Sequence, residues 1–399
     1  MLDAYIYAGV RTPFGRHAGA LSRVRPDDLL AQALKALMDT SGFDAARIED
    51  IVCGCANQAG EDARNVARHA GLRAGLPIGI GGVTVNRLCG SGLAALLDAA
   101  RAAHSGQGDL FISAGVESMS RAPFVMAKAE APFSREAVVF DSTIGARFPN
   151  PWILRTFGGD TMPQTADNVG RDLGIGRAES DAYAAGSQAR YAAAKAAGFF
   201  GEEICAVEVA AKGKTLLVTE DEHPRSDTTL ETLAALRPLE EGGMVTAGNA
   251  SGVNDGAGVL LVGTRAAGET AGVAPRGRIV SGAIAGVEPR VMGLGPVPAS
   301  RKALERAGLS LRDMDVIEIN EAFATQVLGC AKLLEIAFDD SRLNPNGGAI
   351  AVGHPLGASG TRLALTALRQ LERTGGRYAL VGMCIGVGQG IAAVIERSR

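Results

Sequence analysis

Short apolar runs alternate with amphipathic segments along most of this chain. Ala4 to Val10 and Val316 to Ile319 are apolar runs of the kind that form buried strands, whereas Pro26 to Met38 repeats leucine and alanine at the spacing of one helix face. Alternating strands and helices predict an α/β fold in which a mostly parallel sheet is covered on both faces. In such sheets, functional sites lie beyond the carboxyl ends of the strands.

Cys89 lies at one of these junctions. It follows the apolar run Val83 to Val85, and Gly90-Ser91-Gly92 leads from it into a helix predicted over Leu93 to His104. The free N–H groups at the start of a helix favour a thiolate, and the glycines are expected to let a substrate approach the sulfur. A buried cysteine that only fills space fits this segment equally well.

An internal repeat gives Cys89 partners. With an offset of 268 (Ser91 to Ser359), the segment Cys89 to Ala114 aligns without a gap on Gly357 to Gly382. Both copies consist of a glycine-rich turn, a helix, a second turn and an apolar strand. The second copy carries His354 in its turn, and its strand runs into Cys384. Two homologous halves packed face to face would bring these three side chains into one cleft.

Length and charge bear on the number of domains and on the kinds of partner that the protein binds. A chain of 399 residues exceeds what one core usually supports, so more than one domain is expected. The net charge of -3, without a basic stripe, argues against a nucleic-acid partner. We expect no membrane span and no signal peptide, and hence a cytoplasmic protein, because no apolar run reaches roughly 18 residues.

The cysteines predict neither a disulfide framework nor a metal site. They show no paired metal-ligand spacing. Cysteine occurs at positions 53, 55, 89, 205, 330 and 384.

The stretch from Pro123 to about Thr246 interrupts the regular alternation, with scattered proline and glycine and only short helices such as Ala178 to Ala197. We interpret it as an insertion that covers the site. The predicted domains are a first half of residues 1–122 with 247–274, an inserted loop domain of residues 123–246, and a second half of residues 275–399.

Two further motifs follow predicted strands. Asn320 begins Asn-Glu-Ala-Phe, and an asparagine there could simply cap the next helix. Cys384 opens a glycine-rich run to Gly390. A dinucleotide fingerprint fails here because a strand, Ile391 to Ile395, follows where a helix is needed. The glycines instead favour backbone N–H groups that are free to bind an oxyanion.

Together these segments resemble the thiolases, which are acyl-CoA C-acyltransferases. The resemblance covers essentially the whole chain and rests on ordered motifs. These are Asn86 to Leu93, Asn249 to Gly252, Asn320 to Phe323, Gly353 to Gly360, and Cys384-Ile385-Gly386. Within the family, Cys55 to Asp62 and Ser120 to Met126 look most like 3-oxoadipyl-CoA thiolases.

The resemblance implies a fold and a catalytic set. The thiolase fold has two pseudo-repeated halves, each of mixed, mostly parallel sheet and helices, in a five-layer αβαβα arrangement with an inserted loop domain. By resemblance, His354 deprotonates Cys89, whose thiolate becomes acylated, and Cys384 exchanges protons with the leaving enolate and with coenzyme A. Asn320 holds a water at the enolate oxygen, and the N–H groups of Cys89 and Gly386 bind the second oxyanion.

The resemblance also places coenzyme A, as a co-substrate and not as a tightly bound cofactor, under the insertion. Positions along its pantetheine arm match Met162, Ala247, Ser251, Ala322 and Phe323. Arg225 matches a position near the adenine, although a solvated surface arginine is nearly as compatible. The family further implies acyl-CoA substrates and a homodimer or homotetramer.

The substrate is the less specific part of the resemblance. A dicarboxylate would need a cation for its far end, since an unpaired buried charge is costly; Arg135, Arg147 and Arg155 are candidates. Val387 and Pro238-Leu239-Glu240 depart from the commoner family pattern and concern the acyl and pantetheine pocket. Acetoacetyl-CoA or broad 3-ketoacyl-CoA thiolases remain alternatives. A decarboxylating ketoacyl synthase would pair its cysteine with two histidines, and a non-catalytic acyl-CoA-binding protein would lack an active nucleophile.

Overall fold

A computed structural model describes residues 1–211 and 213–398. Its strands are β1 Ala4–Arg11, β2 Gly15–Arg16, β3 Asp50–Gly54, β4 Val83–Val85, β5 Leu110–Ser118, β6 Phe124–Met126, β7 Val139–Asp141, β8 Val207–Ala211, β9 Lys214–Val218, β10 Asn254–Gly263, β11 Gly277–Gly286, β12 Val316–Ile319, β13 Tyr378–Ile385 and β14 Gln389–Arg397. Its α-helices are α1 Pro26–Ser41, α2 Val66–Arg73, α3 Ser91–His104, α4 Pro151–Phe157, α5 Met162–Leu173, α6 Arg177–Ala196, α7 Leu230–Ala234, α8 Arg265–Ala271, α9 Pro296–Ala307, α10 Ala324–Leu333, α11 Ala349–Val352 and α12 Leu356–Thr374.

The main sheet is mixed, in the order β12-β13-β14-β11-β1-β10-β5-β3-β4, with β2 beside β10. Strand β3 is parallel to β4 and β5, and β12 is parallel to β13. The remaining pairs, including β1 with β10 and β11 with β14, are antiparallel. A mixed α/β sheet is confirmed, but the expectation of mostly parallel pairing is wrong. Long apolar strands such as β10 and β14, which are buried on both faces, have the same sequence pattern in either direction.

The strand order repeats. From β1 through β10 and β5 to β3, the pairs are antiparallel, antiparallel and parallel, and the same sequence of pairs runs from β11 through β14 and β13 to β12. The parallel neighbour β4 has a remnant counterpart in the parallel bridge between Ile317 and Leu343. Within the sheet, a short antiparallel ladder joins the two halves: Ala4 to Ile6 pair with Gly277 to Ile279.

Helices α3 and α12 form the middle layer. They lie in one buried apolar cluster with strand residues from both halves, such as Ile6 and Ile391. Helices α1 and α2 cover the outer face of the first half through residues such as Leu34 and Val66, and α9 and α10 cover the second half. This is the five-layer αβαβα arrangement that the resemblance implied.

The region from residue 123 to 246 contains two hairpins, β6 with β7 and β8 with β9, and helices α4 to α7. Helix α6 confirms the helix expected at Ala178 to Ala197, whereas α5 was not predicted. The domain limits remain an interpretation of the sequence. Within the described ranges, no helix is both long and apolar enough to cross a membrane.

Candidate active site

The loop between β4 and α3 holds Cys89 directly after a backbone kink. Leu88 has a φ of 46°, in the left-handed region that residues other than glycine rarely adopt. Asn86 stabilises this conformation, because its Oδ1 accepts from the Leu88 N–H and its Nδ2 donates to the Ala56 carbonyl, both at 2.9 Å. The Ser91 hydroxyl donates to the Leu88 carbonyl at 2.6 Å. Side chains therefore fix the loop that presents the thiol.

The resting Cys89 is a neutral thiol. Burial raises its pKa to about 11, although the backbone N–H groups of Gly386 and of Cys89 itself act in the opposite direction. The start of α3 was expected to favour the thiolate, but removal of the sulfur from water outweighs that effect. A base is therefore required when Cys89 reacts. Gly386, in the turn between β13 and β14, brings its N–H to the same sulfur, so the structure brings these two predicted site residues together.

The glycines beside Cys89 allow close packing. A Cβ on Gly90 would lie 2.6 Å from Ile385 Cδ1, and one on Gly92 would lie 2.5 Å from the Gly357 carbonyl oxygen. The repeat counterpart Gly360 likewise approaches the α3 backbone too closely for a side chain. Helices α3 and α12 touch at their glycine-rich starts. The expectation that these glycines open a path for the substrate is wrong.

His354 lies between α11 and α12 and is 5% exposed. Its Nδ1 is 2.6 Å from Ser359 Oγ, and Ser359 Oγ donates its one proton to the Pro355 carbonyl at 3.0 Å. With its proton on this carbonyl, the hydroxyl oxygen accepts from Nδ1–H, and the lone pair of the imidazole is then on Nε2. Nε2 faces the Asn320 amide at 3.4 Å. These contacts favour the tautomer in which Nε2 can accept a proton.

Burial also keeps this imidazole neutral. It lowers the pKa of His354 to about 3, and the nearby Arg362 adds to the effect. A histidine that is uncharged at neutral pH can accept a proton from a thiol.

Asn320 does not cap a helix. It follows β12, is fully buried, and bonds through its backbone N–H to the Gly382 carbonyl at 2.9 Å. Helix α10 starts later, after Phe323. The side-chain Nδ2 points to His354, and Oδ1 has no hydrogen-bond partner in the described part of the chain. A buried amide oxygen of this kind suits a bound water or substrate group.

Cys384 lies near the end of β13 in a buried apolar cluster. Burial, and secondarily the neighbouring Cys89, raises the pKa of its thiol well above the usual range. The residues packed with it include three of the predicted coenzyme A positions. The cluster consists of Met162, Ala166, Val245, Ala250, Met292, Ala322, Phe323 and Cys384.

The other predicted coenzyme A positions are more dispersed. The Ser251 N–H donates to the Ala322 carbonyl at 2.9 Å, so Ser251 adjoins the Cys384 cluster. Ala247 is exposed in the preceding turn. Arg225 is also exposed, and its backbone N–H donates to the Gln188 side chain at 3.0 Å. The structure does not bring Arg225 into contact with the thiols.

The three candidate arginines all lie in the insertion. Arg135 and Arg155 are exposed, and Arg147 is half-buried. Among the described residues, none of the three forms an ion pair. They are therefore available as cations, but no contact joins them to Cys89.

Sequence reasoning missed three residues near the site. Glu117 is buried in β5, Ser359 orients His354, and Met292 lies against Phe323. A glutamate inside an apolar strand was the available signal for the first. The alignment of Ser91 with Ser359 was the signal for the second. Met292 carried none, because an isolated methionine usually fills a core.

Two family models cover nearly the whole chain. The N-terminal domain of thiolase matches residues 4–266, and the C-terminal domain of thiolase matches residues 273–397. A 3-oxoadipyl-CoA/3-oxo-5,6-dehydrosuberyl-CoA thiolase of Escherichia coli K12 is 58% identical over 402 residues, covering 100% of both chains. A beta-ketoadipyl-CoA thiolase of Pseudomonas aeruginosa is 55% identical over 397 residues, covering 99% of each.

Solved structures of acyl-CoA acyltransferases have the same fold as this chain. The Bacillus anthracis acetyl-CoA acetyltransferase matches with a TM-score of 0.93 and 34% identity, over 100% of this chain and 99% of its own. The human mitochondrial 3-ketoacyl-CoA thiolase in complex with CoA matches with a TM-score of 0.91 and 39% identity, over 100% and 98%. Since family models match both halves and relatives align from end to end, the chain belongs to the thiolase family of acyltransferases.

Proposed function

We propose that this enzyme cleaves 3-oxoadipyl-CoA with coenzyme A to give succinyl-CoA and acetyl-CoA. The observation that carries the proposal is that Cys89 and Cys384, from opposite halves of the repeat, are neighbours, while Asn320, which is bonded to β13, faces the neutral imidazole of His354. Relatives that are more than 50% identical to this chain over at least 99% of their length are named for this substrate. The reverse condensation uses the same groups.

The first half-reaction transfers the acyl group to the enzyme. Nε2 of His354 takes the Cys89 proton as the sulfur attacks the C3 ketone. The C2–C3 bond then breaks, and the electron pair moves into the enolate of acetyl-CoA. Cys384 gives its proton to C2, which releases acetyl-CoA and leaves a succinyl thioester on Cys89 and a thiolate on Cys384.

The second half-reaction regenerates the enzyme. The Cys384 thiolate takes the proton of incoming coenzyme A, whose sulfur attacks the thioester, and His354 returns its proton to Cys89. The N–H groups of Cys89 and Gly386 are placed to bind the tetrahedral oxyanion. The Asn320 amide, with a water, supports the enolate oxygen.

Coenzyme A fits along Met162, Ala322, Phe323 and Ser251, with Ala247 and Arg225 toward the adenine end. We assign the far carboxylate of the substrate to an arginine of the insertion and favour Arg147, because it is the half-buried one. A homodimer or homotetramer and a cytoplasmic location complete the proposal. Exposed apolar side chains on the insertion, such as Phe133 at 100% and Trp152 at 56%, support self-association.

Thiolysis of a substrate panel tests the function. Purified enzyme is given 3-oxoadipyl-CoA, acetoacetyl-CoA or a longer 3-oxoacyl-CoA, with and without free coenzyme A, and acetyl-CoA is measured. We expect sustained turnover only with free coenzyme A, and the highest kcat/KM for 3-oxoadipyl-CoA. A preference for acetoacetyl-CoA would indicate the alternative substrate. Carbon dioxide release without coenzyme A would indicate a synthase, and tight binding without turnover would indicate a binding protein.

The Arg147 assignment has its own test. Arg147→Ala should lower kcat/KM for 3-oxoadipyl-CoA and leave that for acetoacetyl-CoA unchanged, since only the first substrate has a far carboxylate. Arg135→Ala, in the same insertion but fully exposed, is the matched control. Equal effects of Arg147→Ala on both substrates would reject the assignment.

A further inference from the structure

Glu117 bonds to one segment of each half of the repeat. It lies at the buried end of β5 and is 1% exposed. Its Oε2 accepts hydrogen bonds from the backbone N–H groups of Ala56 and Gly357, both at 2.9 Å, and its Oε1 accepts from Asn57 N–H at 3.0 Å. Ala56 and Asn57 follow β3 in the first half, whereas Gly357 belongs to the second half. One carboxylate therefore bonds to both halves.

The contacts on the first half lead to the nucleophile. The Ala56 carbonyl accepts from Asn86 Nδ2 at 2.9 Å, and Asn86 Oδ1 accepts from the Leu88 N–H at 2.9 Å. Leu88 holds the left-handed conformation that precedes Cys89. Because such a conformation persists only when its surroundings fix it, the position of the thiol depends on this chain of bonds.

The contact on the second half leads to the base. Gly357 lies in the first turn of α12, between His354 and the Ser359 hydroxyl that binds Nδ1. Gly357 also packs directly on β5 and β3, since a Cβ there would lie 2.4 Å from the Val116 carbonyl oxygen and 2.6 Å from the Gly54 carbonyl oxygen. Displacement of Gly357 would therefore shift the loop that holds the imidazole.

We propose that Glu117 is a positioning residue that clamps the Cys89 loop and the His354 loop at a fixed separation. The proposal rests on the thiolase chemistry described above. Three backbone donors converge on Glu117, and an ionised carboxylate accepts from all of them without donating. These donors oppose the effect of burial, which raises the pKa of Glu117 to about 7. A carboxamide of the same size would turn an N–H₂ group toward at least one of those donors.

Glu117→Gln tests the clamp. The rate of Cys89 alkylation by iodoacetamide, followed by peptide mass spectrometry, and the steady-state kcat and KM are compared with the wild type. We expect kcat to fall on the order of a hundredfold, as small displacements of reacting groups do, with a parallel fall in the alkylation rate and an unchanged KM for coenzyme A. A merely structural role would reduce the folded fraction, measured by circular dichroism, and leave kcat per folded enzyme unchanged.

Two variants complete the test. Cys55→Ala removes a thiol whose sulfur lies 3.8 Å from Glu117 Oε1 and 3.3 Å from the Asn57 carbonyl oxygen. It removes none of the three backbone N–H bonds to Glu117, so it should retain wild-type kcat. Asn86→Ala breaks only the arm that leads to Cys89, at an exposed residue, and should slow the alkylation of Cys89.

The outcomes separate the two proposals. A folded Glu117→Gln enzyme with wild-type kcat and alkylation rate would overturn the clamp. If Glu117→Gln does not fold, wild-type alkylation of Asn86→Ala would overturn it instead. Wild-type enzyme that fails to cleave 3-oxoadipyl-CoA would reject the proposed substrate, whereas the alkylation comparison would still report on the clamp.

Discussion

The two turns that precede α3 and α12 are equivalent in the repeat, but the proposed reacting side chain stands at a different position in each. With the offset of 268, Asn86 corresponds to His354, and Cys89 corresponds to Gly357. In the first half, Asn86 fixes the backbone and Cys89 is the proposed nucleophile. In the second half, His354 is the proposed base and Gly357 lets the backbone approach β5 closely. Each turn thus holds one proposed reacting group and one structural residue, at exchanged positions.

The same exchange occurs on the strands. Val116 of β5 corresponds to Cys384 of β13, and Glu117 corresponds to Ile385. The first half places its polar side chain one residue later, where it bonds to backbone; the second half places a thiol where the first has a core valine. Duplication therefore supplied a symmetric frame, and the site arises where the two copies differ.

Removal of the nucleophile should have the largest effect on this asymmetric pair. Cys89→Ser should abolish the acyl-enzyme and lower kcat by at least about four orders of magnitude. The matched change Cys384→Ser replaces the facing thiol and should still form an acyl-Cys89 adduct from substrate. Mass spectrometry of the active-site peptides after incubation with 3-oxoadipyl-CoA distinguishes the two. An adduct on Cys384, or none in either the wild type or Cys384→Ser, would contradict the assignment.

Asn320→Ala should have the next largest effect. The buried amide contacts His354, and its oxygen has no partner in the described residues. In the proposed mechanism this amide holds the water that donates to the developing enolate, so its loss removes that donor. Loss of one such donor costs about 2.7–4 kcal/mol of barrier, which lowers kcat by roughly two to three orders of magnitude. Stopped-flow and steady-state thiolysis measure the change, and circular dichroism shows whether the fold is retained. Wild-type turnover would exclude the role.

Ser359→Ala tests the orientation of the base. Without the hydroxyl, Nδ1 loses its acceptor and the Nε2-free tautomer loses its advantage, so kcat should fall about tenfold to a hundredfold. The repeat counterpart, Ser91→Ala, loses backbone bonds to the Cys89 loop instead. It should chiefly lower stability, by about 1–3 kcal/mol.

The tautomer itself is observable. Nitrogen-15 NMR of the imidazole should show the Nδ1–H form of His354 in the wild type and in Ser91→Ala, and a mixture of tautomers in Ser359→Ala. An unchanged spectrum in Ser359→Ala would show that another contact sets the tautomer.

The sequence was sufficient for the parts of the site that follow from periodicity and the repeat. Cys89 and Asn320 follow apolar strands, and Cys384 lies near the end of one, so periodicity located these three residues. His354 follows the short helix α11 instead of a strand, and it was the offset of 268 that related it to the Cys89 turn. The direction of the middle strands was not accessible, because strands buried on both faces are uniformly apolar whichever way they run.

The clamp was equally hidden. Glu117 bonds to Ala56 and Gly357, which are 61 and 240 residues away, and its N–H donors are all backbone groups. Backbone donors leave no side-chain signature in a sequence. The role of the glycines beside Cys89 was mispredicted for a related reason. Whether a glycine makes room for a ligand or for a neighbouring helix depends on what packs against it, and the sequence does not show this.

His354→Asn makes the second turn resemble the first. Of the predicted effects, the smallest is the change that this variant causes in the pH dependence of the free energy of unfolding. Burial lowers the pKa of His354 from 6.5 to about 3, so the stability linked to this group is present above pH 6.5 and is lost as the pH falls toward 3. Between pH 6 and 5 the wild type should lose about 1 kcal/mol that the variant does not lose. Urea denaturation at both pH values measures the difference, with His104→Asn, at the exposed end of α3, as the control for loss of an imidazole. A gap between His354→Asn and wild type that is the same at pH 5 and pH 6 would mean that the folded protein does not lower the pKa of His354, so burial would not be what keeps the imidazole neutral.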